Sequence, residues 1–222
     1  IIDTAGIRKK HRTGSEVENF SIGKSLQTLN YAQVVVLVLD ATESFHRQDL
    51  SLASTVLEEG RGIVFALNKW DLVKDGAKQL RHLEKAIEES LPALVGCPTI
   101  AISAVDGTNI DRLMEAVFRV FRDWSSHLPT GRLNRWLRAV EMENTPPLFR
   151  GKPTRLKYMS QVKTRPPTFA LFTNSPERLE KTFYNRFLMN SLRRDLGLEC
   201  TPVRLLLKKS LNPYAPESRR KK

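Results

Sequence analysis

Asp3-Thr4-Ala5-Gly6, Asn68-Lys69-Trp70-Asp71 and Ile102-Ser103-Ala104 are the segments whose residue types and spacing could do chemistry. In the first, the Asp3 carboxylate can hold the water shell of a magnesium ion. Gly6, without a Cβ, lets a backbone N–H approach a terminal phosphate. In the second, the single carboxylate of Asp71 can accept the two adjacent donors of guanine, N1–H and the 2-amino group, together. Adenine has an acceptor at N1 and no amino group beside it, so an ionised Asp71 rejects it. Asn68 can pair with the base's acceptor edge, and the Lys69 stem can lie along the base plane. A site built to satisfy polar donors discriminates better than an apolar slot. In the third segment, backbone N–H groups of Ser103 and Ala104 could meet the guanine carbonyl oxygen. Bland readings exist for the first two: Asp71 could cap a helix beginning near 76, and Asp3 could sit in an ordinary surface turn. The order of the three segments, each at the end of an apolar strand, favours the nucleotide-binding reading.

Those segments need strands to carry them. Residues 34–39 form a β-branched run of the length of a strand buried on both faces, and 62–67 and 98–103 form two more. Between them lie helical patterns at about 16–30, 47–60, 76–91 and 108–124. The last places Ile110, Leu113, Met114, Val117, Phe118 and Phe121 at helical spacing. Strand–helix alternation with crossovers of this length predicts an α/β domain with a parallel sheet covered on both sides, whose ligands gather at the carboxyl ends of the strands. At 125–129, Ser-Ser-His-Leu-Pro interrupts the pattern. Beyond it the sequence predicts a helix over 130–143, strands over 154–162 and 168–174, a helix from Pro176 to Asp195 closed by Gly197, and a strand over 203–208. That order, α-β-β-α-β, describes a small α+β domain.

Charge divides the chain at the same place. Residues 1–124 hold 15 Lys/Arg and 17 Asp/Glu, a net of −2, whereas the remainder holds 21 and 7, a net of +14. The second part is therefore expected to meet a polyanion. A hydrophobic content of 41% with 27% charged residues is that of a globular chain. The longest apolar run, 34–39, is far short of a membrane span. No signal peptide is expected from the start Ile1-Ile2-Asp3. Cys97 and Cys200 stand far apart, and the four His have no metal spacing. Neither a disulfide nor a zinc site is expected, and a reducing interior is.

The residues Asp3-Thr4-Ala5-Gly6-Ile7-Arg8-Lys9-Lys10, Asp40-Ala41-Thr42-Glu43 and Asn68-Lys69-Trp70-Asp71, with Lys163-Thr164-Arg165-Pro166-Pro167-Thr168-Phe169 and Asn212-Pro213-Tyr214-Ala215, make the sequence resemble the EngA (Der) family of bacterial ribosome-assembly GTPases over essentially its whole length. The resemblance implies that 1–124 is a P-loop GTPase-type domain lacking its N-terminal phosphate-loop part, 125–129 a linker, 130–215 a KH-like domain and 216–222 a basic tail. It implies GTP and magnesium as cofactors, with a potassium ion assisting. The nucleotide would contact Asp3, Thr4, Ala5, Gly6, Ile7, Asn68, Lys69, Trp70, Asp71, Ser103 and Ala104, with Asp3 on the magnesium through water. It further implies contact with the large ribosomal subunit and its RNA, no DNA or membrane partner, a monomer, and a bacterial-type cytoplasm.

Two departures qualify the catalytic reading. No phosphate loop precedes Asp3: Gly23-Lys24-Ser25 has the ending of one, but Glu18 stands where its first glycine belongs. Ile7 occupies the place where Ras-like GTPases carry the glutamine that orients the attacking water, so no residue is assigned as general base. The 222-residue chain is accordingly expected to be a fragment, inactive alone. The run Arg8-Lys9-Lys10-His11-Arg12 is either a solvated charge run or a nucleotide-dependent contact with RNA or with the neighbours of the basic domain. In the second domain Lys152, Arg155, Lys157, Lys163 and Arg165 are expected to face RNA. No G-x-x-G loop is present, so contact with structured RNA without sequence reading is expected. Two other classes compete with this reading: an RNA-binding module whose GTPase remnant is only scaffold, and a protein-binding scaffold.

Overall fold

Five consecutive residues, Ile63 to Leu67, are all but inaccessible to solvent, as a strand covered on both faces must be. They lie in β2 (Gly62–Asn68), the middle strand of a parallel sheet ordered β1-β2-β3, between β1 (Val34–Asp40) and β3 (Thr99–Ala101). The computed structural model describes Ile2 and residues 31–44, 46–90, 94–148, 151, 153–180, 182–198 and 200–210. Asp3, Thr4, Ala5, Gly6, Ile7, the basic run 8–12, the helix expected over 16–30, Lys152 and the tail 216–222 lie outside the described residues. The chain divides into two compact units, Ile1–Ser125 with Gly197–Pro202, and Ser126–Leu196 with Val203–Lys222.

In the first unit, alternation along β2 sends Ile63, Phe65 and Leu67 to one face. There they pack with Leu37 and Leu39 of β1, Ala53 and Val56 of α1 (Arg47–Glu58) and Leu83 and Ile87 of α2 (Gly76–Ser90). Val64 and Ala66 point the other way, onto Leu113, Ala116 and Val120 of α3 (Ile110–Trp124). That face needs a glycine: a Cβ on Gly62 would lie 2.5 Å from Val120 Cγ1, so only glycine permits this helix–strand approach. The Trp124 indole N–H, buried with its ring, donates to Gly60 O at 2.7 Å. The third strand is shorter than its apolar run. Ile102 still bonds the second strand, its N–H donating to Leu67 O at 2.8 Å, and the chain turns away at Ser103, whose N–H donates to Thr108 O at 3.2 Å.

The second unit is α+β. β4 (Leu156–Thr164) pairs antiparallel with β5 (Pro167–Thr173), which pairs parallel with β6 (Arg204–Lys209). Helix α4 (Thr130–Glu143) buries Leu133, Trp136, Leu137 and Val140. Its Asn134 side chain serves the free side of β4: Nδ2 donates to Met159 O and Oδ1 accepts from Met159 N, both at 2.9 Å. One expectation fails. The helix foreseen from Pro176 to Asp195 is two pieces, α5 (Pro176–Glu180) and α6 (Phe183–Leu196). Thr182 directs both its hydroxyl, at 3.0 Å, and its N–H, at 3.2 Å, to Leu179 O. This local turn competes with the i→i−4 ladder. Gly197 follows in the left-handed region at φ 73°, as a helix-terminating glycine does. Among the described residues no helix is long and apolar enough to cross a membrane.

Phe65→Ala is expected to destabilise the first unit by about 3–5 kcal/mol, because the lost transfer energy is compounded by a cavity. Phe118→Ala, removing a side chain 60% exposed on α3, is expected to change stability by no more than about 0.5 kcal/mol. Denaturant unfolding followed by the fluorescence of the tryptophans checks the pair.

Candidate functional site

Parallel register brings the carboxyl ends of the strands to one edge. Asp40, the last residue of β1, is opposite Asn68, the last residue of β2. Ala41 N–H donates to Asn68 O at 2.8 Å. From the other side, Ala104 N–H donates to Asn68 Oδ1 at 3.0 Å, and Trp70 N–H donates to Ile102 O at 3.1 Å. Asn68 is thereby fastened through main chain and side chain at once. Among the described residues nothing engages its two amide N–H donors, which suit the acceptor edge of a ligand.

Lys69 takes a left-handed backbone, φ 64°, uncommon for a residue with a long side chain. The conformation turns the chain from β2 into the short 3-10 turn Trp70–Leu72. Its ammonium is held by Asp40: Nζ lies 2.6 Å from Oδ2. The other carboxylate oxygen, Oδ1, accepts the Thr42 hydroxyl at 2.6 Å and the Thr42 N–H at 3.0 Å. Burial pushes the Asp40 carboxyl up, but Lys69 and the two Thr42 donors outweigh it and hold the group down at about 2. The Lys69 side chain remains half exposed, so its methylene stem is open to a planar ligand while its charge is anchored. Behind it the Trp70 ring lies against Gly76, whose added Cβ would come within 3.0 Å of Trp70 Cζ2.

Asp71 is exposed, and among the described residues no hydrogen bond or ion pair engages its carboxylate. The capping role that competed for it belongs to another residue: Asp75 Oδ1 accepts Lys78 N–H at 3.1 Å at the start of α2. The loop after β3 is built by Gly107, at φ 79°, by Asp106 Oδ1 accepting Thr108 N–H at 2.9 Å, and by Asn109 Nδ2 donating to Ala101 O at 2.8 Å.

The structure thus brings Asn68, Lys69, Trp70, Asp71, Ser103 and Ala104 to one edge of the first sheet. It also shows what pattern reading missed. The Ser103 and Ala104 N–H groups, expected to face a base carbonyl, are engaged by Thr108 O and Asn68 Oδ1. A base oxygen would have to share the Ala104 N–H with Asn68. Asp40 holds Lys69, and Thr42 in turn holds Asp40; the sequence offered both only through the family resemblance. The signal that could have found them is the position of Asp40 at the end of an apolar strand neighbouring β2. In the second unit Arg155, Lys157, Lys163 and Arg165 are all exposed.

Two family models match. The Elongation factor Tu GTP binding domain matches residues 18–123, and the KH-domain-like of EngA bacterial GTPase enzymes, C-terminal, matches residues 127–208. Among curated relatives, a protein named GTPase Der from Parvibaculum lavamentivorans is 43% identical over 218 residues, covering 98% of this chain and 46% of the relative. The chain belongs to the EngA (Der) family. A GTPase Der from Novosphingobium aromaticivorans is 41% identical over 215 residues, covering 97% of this chain and 46% of that family member. The chain spans about half the length of the curated family members it matches. A crystal structure of Era in complex with MgGDPNP and nucleotides 1506-1542 of 16S ribosomal RNA covers 99% of this chain and 77% of its own, at 18% identity and a TM-score of 0.46. That likeness is too distant to carry its ligands over.

Asp40 supplies a direct check on the Lys69 anchor. A carboxyl lowered on folding contributes stability that is fully present above its ordinary value of 3.8 and is lost as pH falls towards about 2. Carbon NMR titration is expected to place the Asp40 midpoint near the lower value. In Lys69→Ala the midpoint is expected to climb, since burial remains and the ammonium does not.

Proposed function

We propose that this chain is the part of a guanine-nucleotide-binding protein that reads the base, in a larger GTPase that hydrolyses GTP and controls a step of large ribosomal subunit assembly. The observation that carries this reading is the Asn68–Ala104 hydrogen bond. It ties the two strand ends into one frame on which the Asn68 amide donors and the unengaged, exposed Asp71 carboxylate are presented together. Donors for an acceptor edge beside an acceptor for two adjacent donors match guanine and mismatch adenine. Lys69, held by Asp40, lies along the purine face, and Ala104 N–H is shared between Asn68 and the base oxygen.

The phosphate half of the site is assigned to Asp3, Thr4, Ala5, Gly6 and Ile7 by sequence alone. Asp3 would hold magnesium through water, and magnesium would neutralise charge on the phosphates. A potassium ion would assist, with its ligands upstream of this chain. The 222-residue chain is expected to show no appreciable turnover by itself, since it has no phosphate-cradling lysine. The second unit, with Lys152, Arg155, Lys157, Lys163 and Arg165 and a net charge near +14 over residues 125–222, would meet ribosomal RNA through its phosphates. The setting proposed for it is the cytoplasm of a bacterial cell, as a monomer.

In the full-length protein, Asp71→Asn is expected to weaken GTP binding about 100-fold, the worth of a charged hydrogen-bonded pair. It is also expected to shift preference towards xanthosine triphosphate, whose base carries a carbonyl where guanine has its amino group. Calorimetric titration with the two nucleotides reads both effects. An unchanged preference would remove the base-reading assignment.

A further inference from the structure

The three strands of the second unit contain no Asp or Glu, while Lys157, Lys163, Arg204, Lys208 and Lys209 stand along them. Alternation sends Met159, Phe169 and Leu171, all fully buried, to the face that forms the core. The opposite face is different. Across it, Tyr158 pairs with Phe172, which pairs in turn with Lys208 on β6. The Tyr158 and Phe172 rings are stacked, with centroids 4.3 Å apart and planes within 8°, and Tyr158 is 44% exposed. At the other end of the same face Lys163 pairs with Thr168, which pairs with Arg204. Four residues of β5 separate the two rows, a span of about 13 Å. Leu206, opposite Ala170, lies between the rows and is also 44% exposed.

We propose that this sheet face binds an unpaired stretch of RNA, one base stacking on the Tyr158–Phe172 pair while Lys208, Lys163 and Arg204 hold phosphates on either side. The inference rests on the RNA-binding reading above and sharpens it from phosphate contact to the recognition of single strands. An aromatic platform accepts any base through its π face, and a base offers that face only when it is unstacked. A duplex keeps its base faces covered and would meet the cations alone. The absence of acidic side chains from all three strands matches a polyanion, whereas a protein partner would have to bring an acidic group to each of the lysines along them. The platform is separate from the cations Arg155 and Arg165, which stand outside the strands.

The test uses the full chain with two probes, a short labelled single-stranded oligoadenylate and an RNA duplex of equal length, followed by fluorescence anisotropy over a range of salt. Tyr158→Leu is expected to weaken the single strand about tenfold, the scale of one lost base–aromatic stack, with duplex affinity unchanged and Tyr158→Phe restoring the wild-type value. Lys208→Ala is expected to weaken both probes and to lower the salt slope by about one. If the chain binds RNA with a steep salt dependence but Tyr158→Leu and Phe172→Leu leave the single strand unaffected, the platform is wrong and the phosphate reading stands. Equal loss on both probes that Tyr158→Phe fails to restore would mark the ring as a structural support only and overturn the proposal. A wild-type chain that binds neither probe would remove the RNA-binding reading itself.

Discussion

Burial of β2 on both faces is the constraint on which the first unit depends. Ile63, Phe65 and Leu67 are committed to the α1 and α2 side, and Val64 and Ala66 to α3. Each large side chain withdrawn from water contributes about 1.5–3 kcal/mol. A slip of one residue would exchange the two sets and leave Val120 against something larger than Gly62. A strand so fixed also fixes its last residue. Asn68 is placed by the core, and only then by its bonds to Ala41 and Ala104. Polar groups at the rim thus inherit the rigidity of the apolar interior behind them.

Much of this was legible in the residues. A continuous apolar run followed at once by Asn-Lys-Trp-Asp announces both a strand and what stands at its end, since type and spacing are local properties. The interactions that arm the site are not local. Asp40 reaches Lys69 because β1 and β2 end in register, and no pattern within either segment states that register. The same holds for the Ser103 and Ala104 amides, whose partners Thr108 and Asn68 appear only once the loop closes. The broken helix failed for a different reason. Apolar spacing continues through 176–196, and the interruption comes from a threonine turning its hydroxyl on its own backbone.

Under the proposed function the two units would bring opposite electrostatic styles to anionic ligands. The first, slightly negative overall, has no broad positive field and would depend on groups placed individually, among them an ammonium already paired with a carboxylate. Interactions of that kind, partly shielded from water, respond weakly to salt. The second unit carries the excess positive charge, spread over solvent-facing positions, and a field of that kind is felt at a distance and screened readily. Base recognition in one unit and polyanion attraction in the other would therefore respond to ionic strength independently.

The amide of Asn134 has a consequence for how this protein shares a crowded cell. An outer strand ordinarily offers donors and acceptors to any extended peptide that drifts past, and recruitment of that kind can propagate into fibres. Here the peptide at Met159 is already matched by a side chain, Gln161 is tied to Leu128 and Ser126, and Glu141 reaches Leu156 N–H. Side chains thus occupy positions on that margin that a passing strand would need, which guards this edge of a strongly cationic unit against templated growth where it gathers at high local density.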